Sequence, residues 1–349
     1  MSYEGLDIDL LNLGDADSIL VTRWQYSIPT RILIDGGNSS DSQKVLDFLH
    51  RLGAGYLHHI VCSHPHDDHA AGLIGLVNSN QIDFGEAWLH MPQNHINFSA
   101  LQWALSSTCT RMVRKIIEDS LATQRELEYA IRRRNKIIRE LFYGQKIGFM
   151  VVCGPTEQFY EEQLAQFADL ETLVELEEAL LQYQSRIDRE EYQQRYGIFA
   201  PTYLATEDIG LGEAPTEPEN ETSTVLGFSY NGHTYLLTAD AGVQALTQVR
   251  NFFNLQELAW MQIPHHGSRR NVNEDLIQYF KPKVAYVSAA GNNKHPRRKV
   301  VNAFKKTGTQ VYSTHYQGSE GGHLWHHRGT VPTRTGYGSA VALYDAGLE

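Results

Sequence analysis

Residues 63–72 read SHPHDDHAAG and hold three histidines and two aspartates within six positions. The apolar run LHHIVC before them is typical of a buried strand, and the small residues after them begin a helix. On extended backbone His64 and His66 point to the same side, and the turn into the helix brings Asp68 and His69 back toward the same centre. Imidazole and carboxylate are ligands that suit zinc, manganese or iron. The stretch therefore predicts a metal site at a strand-to-helix turn.

The composition is that of an ordinary soluble protein, with 42% hydrophobic and 20% charged residues in a chain of 349. The amino end has no signal-peptide pattern, and no stretch approaches the roughly 20 apolar residues of a membrane span, so we expect a cytoplasmic protein without membrane association. Three irregularly spaced cysteines, Cys62, Cys109 and Cys153, indicate neither a disulfide framework nor a cysteine zinc site. Because the net charge is −11, affinity for nucleic acid must come from local basic clusters.

Strand and helix patterns alternate over the first ninety residues, where three strand-like runs precede the helix SQKVLDFLHRLG. This order predicts an α/β layer fold. Helical periodicity dominates residues 99–206, apart from a strand near 146–153, and the acidic stretch 207–222 is expected to be a flexible loop. The α/β pattern resumes after residue 222. Because we expect the strand-rich parts to need each other, we predict a single domain over 1–349 with 99–206 as a helical insertion.

Four motifs resemble those of the metallo-β-lactamase-fold superfamily. They are H-x-H-x-D-H at 64–69, RILIDGG at 31–37, YLLTADAG at 235–242 and IPHHGS at 263–268. Together with NLGDADSILV and KPKVAYVSAAGNNKHP, they are similar to the soluble nuclease-like domain of the competence protein ComEC and its standalone relatives. That similarity covers about residues 6–95 and 222–315. It implies an αββα sandwich with a two-metal site, interrupted by the helical insertion.

The resemblance also implies which residues hold the metals, two divalent ions that we expect to be Zn or Mn. The ligands are His64, His66, Asp68, His69, Asp240 and His265. Asp240 is the bridging residue, while Asp35 and His266 have supporting roles, and His266 is the alternative to His265 as the last ligand. A middle ligand histidine found in many family members has no clear match. His90 and His95 are candidates that are better explained as structural residues, so a water or a weaker ligand would complete that ion.

The expected chemistry is hydrolysis by a metal-bound hydroxide, without a covalent enzyme intermediate. The residues expected to take part in catalysis are Asp68, Asp67, His295 and Arg269. Asp67 could tune the nucleophile or cap the helix that follows, and the two roles are compatible. His295 could act as the leaving-group acid or contact a phosphate.

Cations near two of the motifs bear on the substrate class. Arg269 and Arg270 come directly after IPHHGS, and Arg297 and Arg298 follow the sequence KHP. We expect these four to bind substrate, since arginine pairs bidentately with phosphate; the alternative is that they form ion pairs with the chain's many acidic residues. The sequence therefore predicts a metal-dependent phosphodiesterase, most simply a nuclease acting on DNA or RNA.

Two other functions stay open at this point. The same fold could carry a small-molecule hydrolase of an ester, lactone or phosphorylcholine type, because function resides in the site rather than in the fold. The chain could also be a subunit of a larger complex, such as a defence system, that docks through the helical insertion. The docking role is compatible with nuclease activity.

Overall fold

Two mixed β-sheets lie face to face, with helices on both outer sides. The structure is a computed structural model that describes residues 2–95, 121–167, 210–291, 294–316, 323–332, 334 and 342–343. Within these ranges each sheet has seven strands.

The first sheet is built mainly from the amino-terminal part of the chain. Its strands, in spatial order, are β14 (Leu324–Gly329), β1 (Gly5–Leu10), β2 (Ile19–Gln25), β3 (Ile28–Ile34), β4 (Tyr56–Val61), β5 (Asp83–Trp88) and β6 (Ile137–Arg139). The strands from β14 to β3 pair antiparallel, and those from β3 to β6 pair parallel.

The second sheet takes most of its strands from the carboxyl-terminal part. In spatial order they are β13 (Gln310–Ser313), β12 (Val284–Val287), β11 (Trp260–Gln262), β10 (His233–Leu237), β9 (Val225–Tyr230), β8 (Met150–Gly154) and β7 (Lys146–Ile147). The strands from β13 to β10 pair parallel, and those from β10 to β7 pair antiparallel.

Helices cover the outer face of each sheet, and one short helix lies at the edge beside the candidate site residues. They are α1 (Ser42–Arg51), α2 (Asp67–Ser79), α3 (Ala122–Arg133), α4 (Glu157–Phe167), α5 (Pro218–Glu221), α6 (Val243–Phe252), α7 (Glu274–Phe280) and α8 (Arg298–Lys306). The short helix at the edge is α5. Apolar residues of α1, α2 and α3 form one core with the first sheet, and those of α6, α7 and α8 form another with the second sheet.

Strand side chains alternate between these outer cores and a third core between the sheets. In β3, Leu33 joins the helix-side core, whereas Ile32 and Ile34 join the core between the sheets. In β10, Leu236 joins the helix-side core of the second sheet, whereas Tyr235 joins the core between the sheets. Strands that are apolar on both faces are what a sheet covered on both sides requires. The layers therefore run helix, sheet, sheet, helix, and the predicted α/β sandwich is confirmed.

The parallel strands bring the candidate site residues to one edge of the sandwich. Asp35 follows β3 and His64 follows β4 in the first sheet, while Asp240 follows β10 and His265 follows β11 in the second. In α/β sheets, ligand sites form beyond the carboxyl ends of the strands. The topology thus places all four residues where such a site is expected.

The predicted insertion over 99–206 is described only between residues 121 and 167. In that part α3 packs Leu127 and Ile131 into the first core, β6 extends the first sheet, and β7 and β8 extend the second. This part is integral to the sandwich, and the remainder of the insertion lies outside the described residues. The described part of the predicted loop 207–222 contains α5, in which Asn220 and Glu221 are buried. None of the helices in the described ranges has the length and apolar character needed to cross a membrane.

Candidate metal centre

Four side chains, two from the first turn of α2 and two from loops of the second sheet, converge at the edge of the two sheets. The ligand atoms of Asp68, His69, Asp240 and His266 all lie within 4.8 Å of one another, and we call this group the Asp68 cluster. His266 Nε2 is 3.2 Å from Asp68 Oδ2. His69 Nε2 is 3.3 Å from Asp240 Oδ1.

A second group shares one of these residues. His64, His66 and Asp240 also bring their ligand atoms within 4.8 Å of one another, and we call this group the His64 cluster. His64 Nε2 lies 3.7 Å from Asp240 Oδ2, whereas His69 in the Asp68 cluster faces Oδ1. Asp240 therefore stands between the two clusters with one carboxylate oxygen toward each.

Several buried polar atoms inside the clusters make no hydrogen bond. They are His64 Nε2, His69 Nε2, Asp240 Oδ1 and Asp240 Oδ2. Buried polar groups in native proteins are nearly always satisfied, and an exception points to a water or an ion. Imidazole nitrogens and carboxylate oxygens at this spacing are a donor set that suits zinc or manganese. The residues therefore fit the divalent ions that the sequence predicts.

The carboxylates of the Asp68 cluster are held ionised by the surrounding imidazoles. Burial raises the pKa of Asp240, but His265 and His69 outweigh burial and hold this pKa well below its ordinary value. The pKa of Asp68 is also lowered, because His69 and a hydrogen bond from His266 outweigh burial. Burial lowers the pKa of His69, but Asp240 and Asp68 raise it well above its ordinary value. A metal that binds here would displace protons from imidazole, so binding is expected to release protons.

Asp35 holds His69 in the orientation that the Asp68 cluster needs. Asp35 Oδ1 accepts a hydrogen bond from Ser63 N at 2.8 Å, and Oδ2 lies 2.8 Å from His69 Nδ1. With Nδ1 turned toward this carboxylate, Nε2 faces the cluster. Asp35 has a φ of +60°, a left-handed conformation that costs a non-glycine residue about 1–3 kcal/mol and recurs at functional sites. This is the contact that the supporting role predicted for Asp35 would use.

The sequence favoured His265 as the last ligand and kept His266 as the alternative, and the last loop brings both histidines to the clusters. His266 Nε2 belongs to the Asp68 cluster, while His266 Nδ1 lies 3.1 Å from the Ser288 carbonyl oxygen. His265 Nε2 lies 3.6 Å from Asp240 Oδ2, and its Nδ1 is 3.0 Å from Asn271 Oδ1. This geometry favours His266 as a ligand in the Asp68 cluster. It leaves His265 against the shared carboxylate but outside both clusters.

A measurement of metal affinity tests which of the two histidines is a ligand. Replacing His266 by alanine removes a ligand atom, so we expect affinity for one ion to fall more than about 100-fold, since losing a residue that only supports a ligand costs roughly 10–100-fold. The His265→Ala change is expected to cost less. Competition with a chromophoric chelator measures both variants. A larger loss in His265→Ala than in His266→Ala would contradict this assignment.

Two residues predicted to take part in catalysis, Asp67 and His295, make contacts with different elements. Asp67 is the first residue of α2, and its carboxylate accepts a hydrogen bond from Thr123 Oγ1 at the start of α3. His295 is buried, with its ring stacked on His265 at a centroid distance of 5.7 Å and edge-on to His266 at 5.8 Å. Burial and these two imidazoles lower the pKa of His295 to about 2, so its ring is neutral at pH 7.

The four predicted substrate-binding arginines lie on two segments that touch each other, the loop that follows His266 and the start of α8 with the residue before it. The Arg297 amide donates a hydrogen bond to the Gly267 carbonyl oxygen at 3.1 Å, which joins the two segments beside the clusters. Arg269 is buried, whereas Arg270 and Arg298 are exposed. The exposed pair therefore presents positive charge near the edge where the clusters lie.

Neither candidate for the middle ligand histidine belongs to the two clusters. His90 Nε2 lies 3.2 Å from Thr224 Oγ1, and its ring stacks on Tyr160 with centroids 4.2 Å apart. His95 Nε2 lies 2.9 Å from Glu140 Oε1. His95 Nδ1 also lies 3.5 Å from Glu157 Oε1 and 3.4 Å from Glu161 Oε1, and these three residues form a separate group that could hold an ion. The structural roles favoured for His90 and His95 stay predictions.

Three acidic residues near the clusters were not predicted from the sequence. Glu217 and Glu219 bring their carboxylates within 4.8 Å of each other and of the His66 imidazole. They lie in an acidic stretch rich in glycine and proline, and that composition indicates a loop rather than a site. Asp17 is buried and accepts a hydrogen bond from Gln262 Nε2 at 2.7 Å. The one feature of the sequence that points to Asp17 is its position in LGDADS, one of the stretches that carry the family resemblance.

Comparisons with known proteins give a family for part of the chain. The model of the Metallo-beta-lactamase superfamily matches residues 30–92. The chain is similar to ComE operon protein 3 of Bacillus subtilis (strain 168), with 32% identity over 110 residues, and this match confirms the ComEC resemblance. The aligned residues are 31% of this chain and only 14% of that protein.

Two solved structures show a distant likeness. One is a mutant of CmlA beta-hydroxylase, with a TM-score of 0.40 and 12% identity over 93% of this chain and 53% of the other. Another is a long form of RNase Z from yeast, with a TM-score of 0.37 and 13% identity over 81% of this chain and 37% of the other. The family assignment rests on the matched segment and on the layers described above. Residues 30–92 match the model of the metallo-beta-lactamase superfamily, in a chain whose helix-flanked sheets form a sandwich consistent with the metallo-β-lactamase fold.

Proposed function

We propose that this chain is a metal-dependent phosphodiesterase whose substrate is DNA or RNA. The observation that supports this most directly is the position of Asp240, which turns Oδ2 toward His64 and Oδ1 toward His69. A carboxylate shared in this way suits a pair of divalent ions, Zn or Mn, of the kind that serves phosphoryl hydrolysis.

The chain's own residues supply the frame for this chemistry. A bound pair of divalent ions would lower the pKa of water and polarise a phosphoryl oxygen. The site is buried at His64, His69 and Asp240. Electrostatic interactions between these side chains and a bound cation are therefore stronger than they would be in water. His295, neutral and packed beside His265, could donate a hydrogen bond from one ring N–H to a phosphate oxygen, but a neutral imidazole has no acidic proton to give to a leaving group.

Charge near the clusters favours a phosphodiester over a neutral ester or lactone. Arg270 is exposed on the loop after His266 and Arg298 is exposed at the start of α8. The Arg297 amide joins these two segments, and guanidinium groups pair bidentately with phosphate. A neutral substrate would form no such pair with these cations. Glu217 and Glu219 lie beside His66, so we expect the phosphates to enter from the side of the basic segments. The resemblance to the ComEC nuclease-like domain supports the same substrate class.

A substrate panel tests the proposed function. The chain reconstituted with Zn or Mn is expected to hydrolyse bis-p-nitrophenyl phosphate and to cleave plasmid DNA, linear DNA or RNA. A chelator should abolish both activities and added metal should restore them. The exposed α1 variant Asp47→Asn serves as the unaffected control.

The same panel includes p-nitrophenyl acetate, a lactone and p-nitrophenyl phosphorylcholine. A chain that holds metal and turns over one of these, but no nucleic acid and no simple phosphodiester, would support the small-molecule alternative instead. A metal-loaded chain that is inert on every member of the panel would overturn the proposed hydrolase.

A further inference from the structure

Asp17 is a buried carboxylate at the junction of the two sheets, only 1% exposed. Its backbone N–H donates to the Asp68 carbonyl oxygen at 3.1 Å, and its carbonyl accepts a hydrogen bond from Gly37 N at 2.8 Å. Its side chain accepts hydrogen bonds from Gln262 Nε2 at 2.7 Å and from Ser288 Oγ. We infer that Asp17 is a positioning residue that sets the orientation of two proposed metal ligands, Asp240 and His266.

One arm of this network runs through Gln262 to the loop that carries Asp240. Since Gln262 donates its Nε2 hydrogen to Asp17, its Oε1 is left to accept, and it lies 3.1 Å from both Thr238 N and Ala239 N. Ala239 has a φ of +45°, so the backbone directly before Asp240 adopts a conformation that alanine disfavours. The two hydrogen bonds from Gln262 hold this turn. Asp17 thereby fixes the direction in which Asp240 leaves β10.

The other arm runs through Ser288 to His266. Because the Ser288 hydroxyl donates to Asp17, its oxygen can only accept from the imidazole, and it lies 3.2 Å from His266 Nδ1. The Ser288 carbonyl oxygen, a second acceptor, is 3.1 Å from the same nitrogen. Facing two acceptors, Nδ1 carries the hydrogen, and Nε2 presents its lone pair to the Asp68 cluster when a metal is bound.

Only a residue with two acceptor oxygens satisfies both arms at once. Asparagine at position 17 has one acceptor and one donor group. If the asparagine oxygen faced Gln262, its N–H₂ group would face Ser288, and the Ser288 hydroxyl would lose its acceptor. If the asparagine oxygen faced Ser288, its N–H₂ group would face the N–H₂ group of Gln262. In either orientation one arm is broken. Buried donors left unpaired in this way are costly.

The test exchanges donor and acceptor between the two partners. Asp17→Asn and Gln262→Glu, made singly, each set two like groups against each other. The double variant restores a donor at position 17 and an acceptor at position 262, and its net charge equals that of the native chain. The new carboxylate at position 262 also keeps an oxygen for Thr238 N and Ala239 N. We expect each single variant to lose roughly 10–100-fold in Zn²⁺ affinity, as residues that orient ligands typically do, and the double variant to recover most of it.

Zn²⁺ affinity is measured by chelator competition on the full chain, and Asp15→Asn is the matched control. Asp15 lies on the same loop and accepts a hydrogen bond from Ala290 N at 2.8 Å, so its loss removes a neighbouring charge without touching either arm. If Asp17→Asn does not fold, the Gln262→Glu single variant and the double variant give the same comparison. Native affinity in the single variants, or no recovery in the double variant, would overturn the inference.

This inference rests on the metal site proposed above, and the two can fail separately. If the native chain binds no Zn²⁺, the proposed metal site itself is wrong. If the native chain binds Zn²⁺ and the two single variants and the double variant bind it with the same affinity, the proposed metal site stands and only the role of Asp17 is contradicted.

Discussion

Replacing Asp240 by asparagine is expected to weaken binding of both ions, to abolish binding of at least one, and to lower phosphodiester hydrolysis by more than about 100-fold, beyond the loss typical of a residue that only supports a ligand. Asparagine keeps the volume but has one neutral acceptor oxygen, so it can face His64 or His69 but not both. The other cluster would meet an N–H₂ group, which donates hydrogen bonds and cannot ligate a metal. The lost negative charge weakens both cation sites further.

Metal analysis by mass spectrometry and turnover of bis-p-nitrophenyl phosphate, measured on the same sample, check this result. Asp47→Asn, on the exposed face of α1, is the matched control and should retain native metal content. The unfolding midpoint of each chelator-treated variant separates loss of metal from loss of fold. An Asp240→Asn chain that keeps two ions and native turnover would show that the shared carboxylate is not needed.

The change Gly72→Ala is expected to destabilise the fold by about 3 kcal/mol or more, the upper end of what overpacking costs. A Cβ at this position of α2 would lie 1.8 Å from the Gly36 carbonyl oxygen. Both sides of the contact are backbone, since Gly72 N donates to the Gly37 carbonyl oxygen at 2.7 Å, so no side chain can rotate away. Gly36 N in turn donates to the His69 carbonyl oxygen at 2.8 Å, so the strain reaches the metal loop.

Urea unfolding of the metal-free chain measures this effect. Gly55→Ala is the matched control, because a Cβ at Gly55 would meet no atom within 4 Å, and it is expected to change the free energy of unfolding by less than about 0.5 kcal/mol. Equal stability of the two variants would mean that α2 does not approach the Gly36 loop as closely as described.

The fold and one half of the candidate site are encoded locally and could be predicted from the sequence. His64, His66, Asp68 and His69 lie within six residues, so a single strand-to-helix turn sets their relation. Alternating and continuous apolar runs predicted the strands, and parallel pairing carries the residues that follow them to one edge.

The other half depends on backbone conformation and on contacts between distant residues. His265 and His266 both have left-handed φ values, +47° and +55°, and no hydrophobic pattern encodes which of the two side chains such a turn sends toward Asp68. Asp17 meets Gln262 across 245 positions, and no local pattern pairs them. Glu217 and Glu219 approach His66 only because α5 packs at this edge. These features follow from tertiary packing rather than from spacing along the chain.

Electron paramagnetic resonance of the chain loaded with two equivalents of Mn²⁺ tests most directly whether one carboxylate serves two cation sites. Ions that share Asp240, at the roughly 3.5–4 Å typical of two-metal sites, are expected to give an exchange-coupled spectrum. That coupling should disappear in Asp240→Asn and persist in Asp47→Asn. A native spectrum of isolated Mn²⁺ ions, or no bound Mn²⁺ at all, would contradict the two-metal centre.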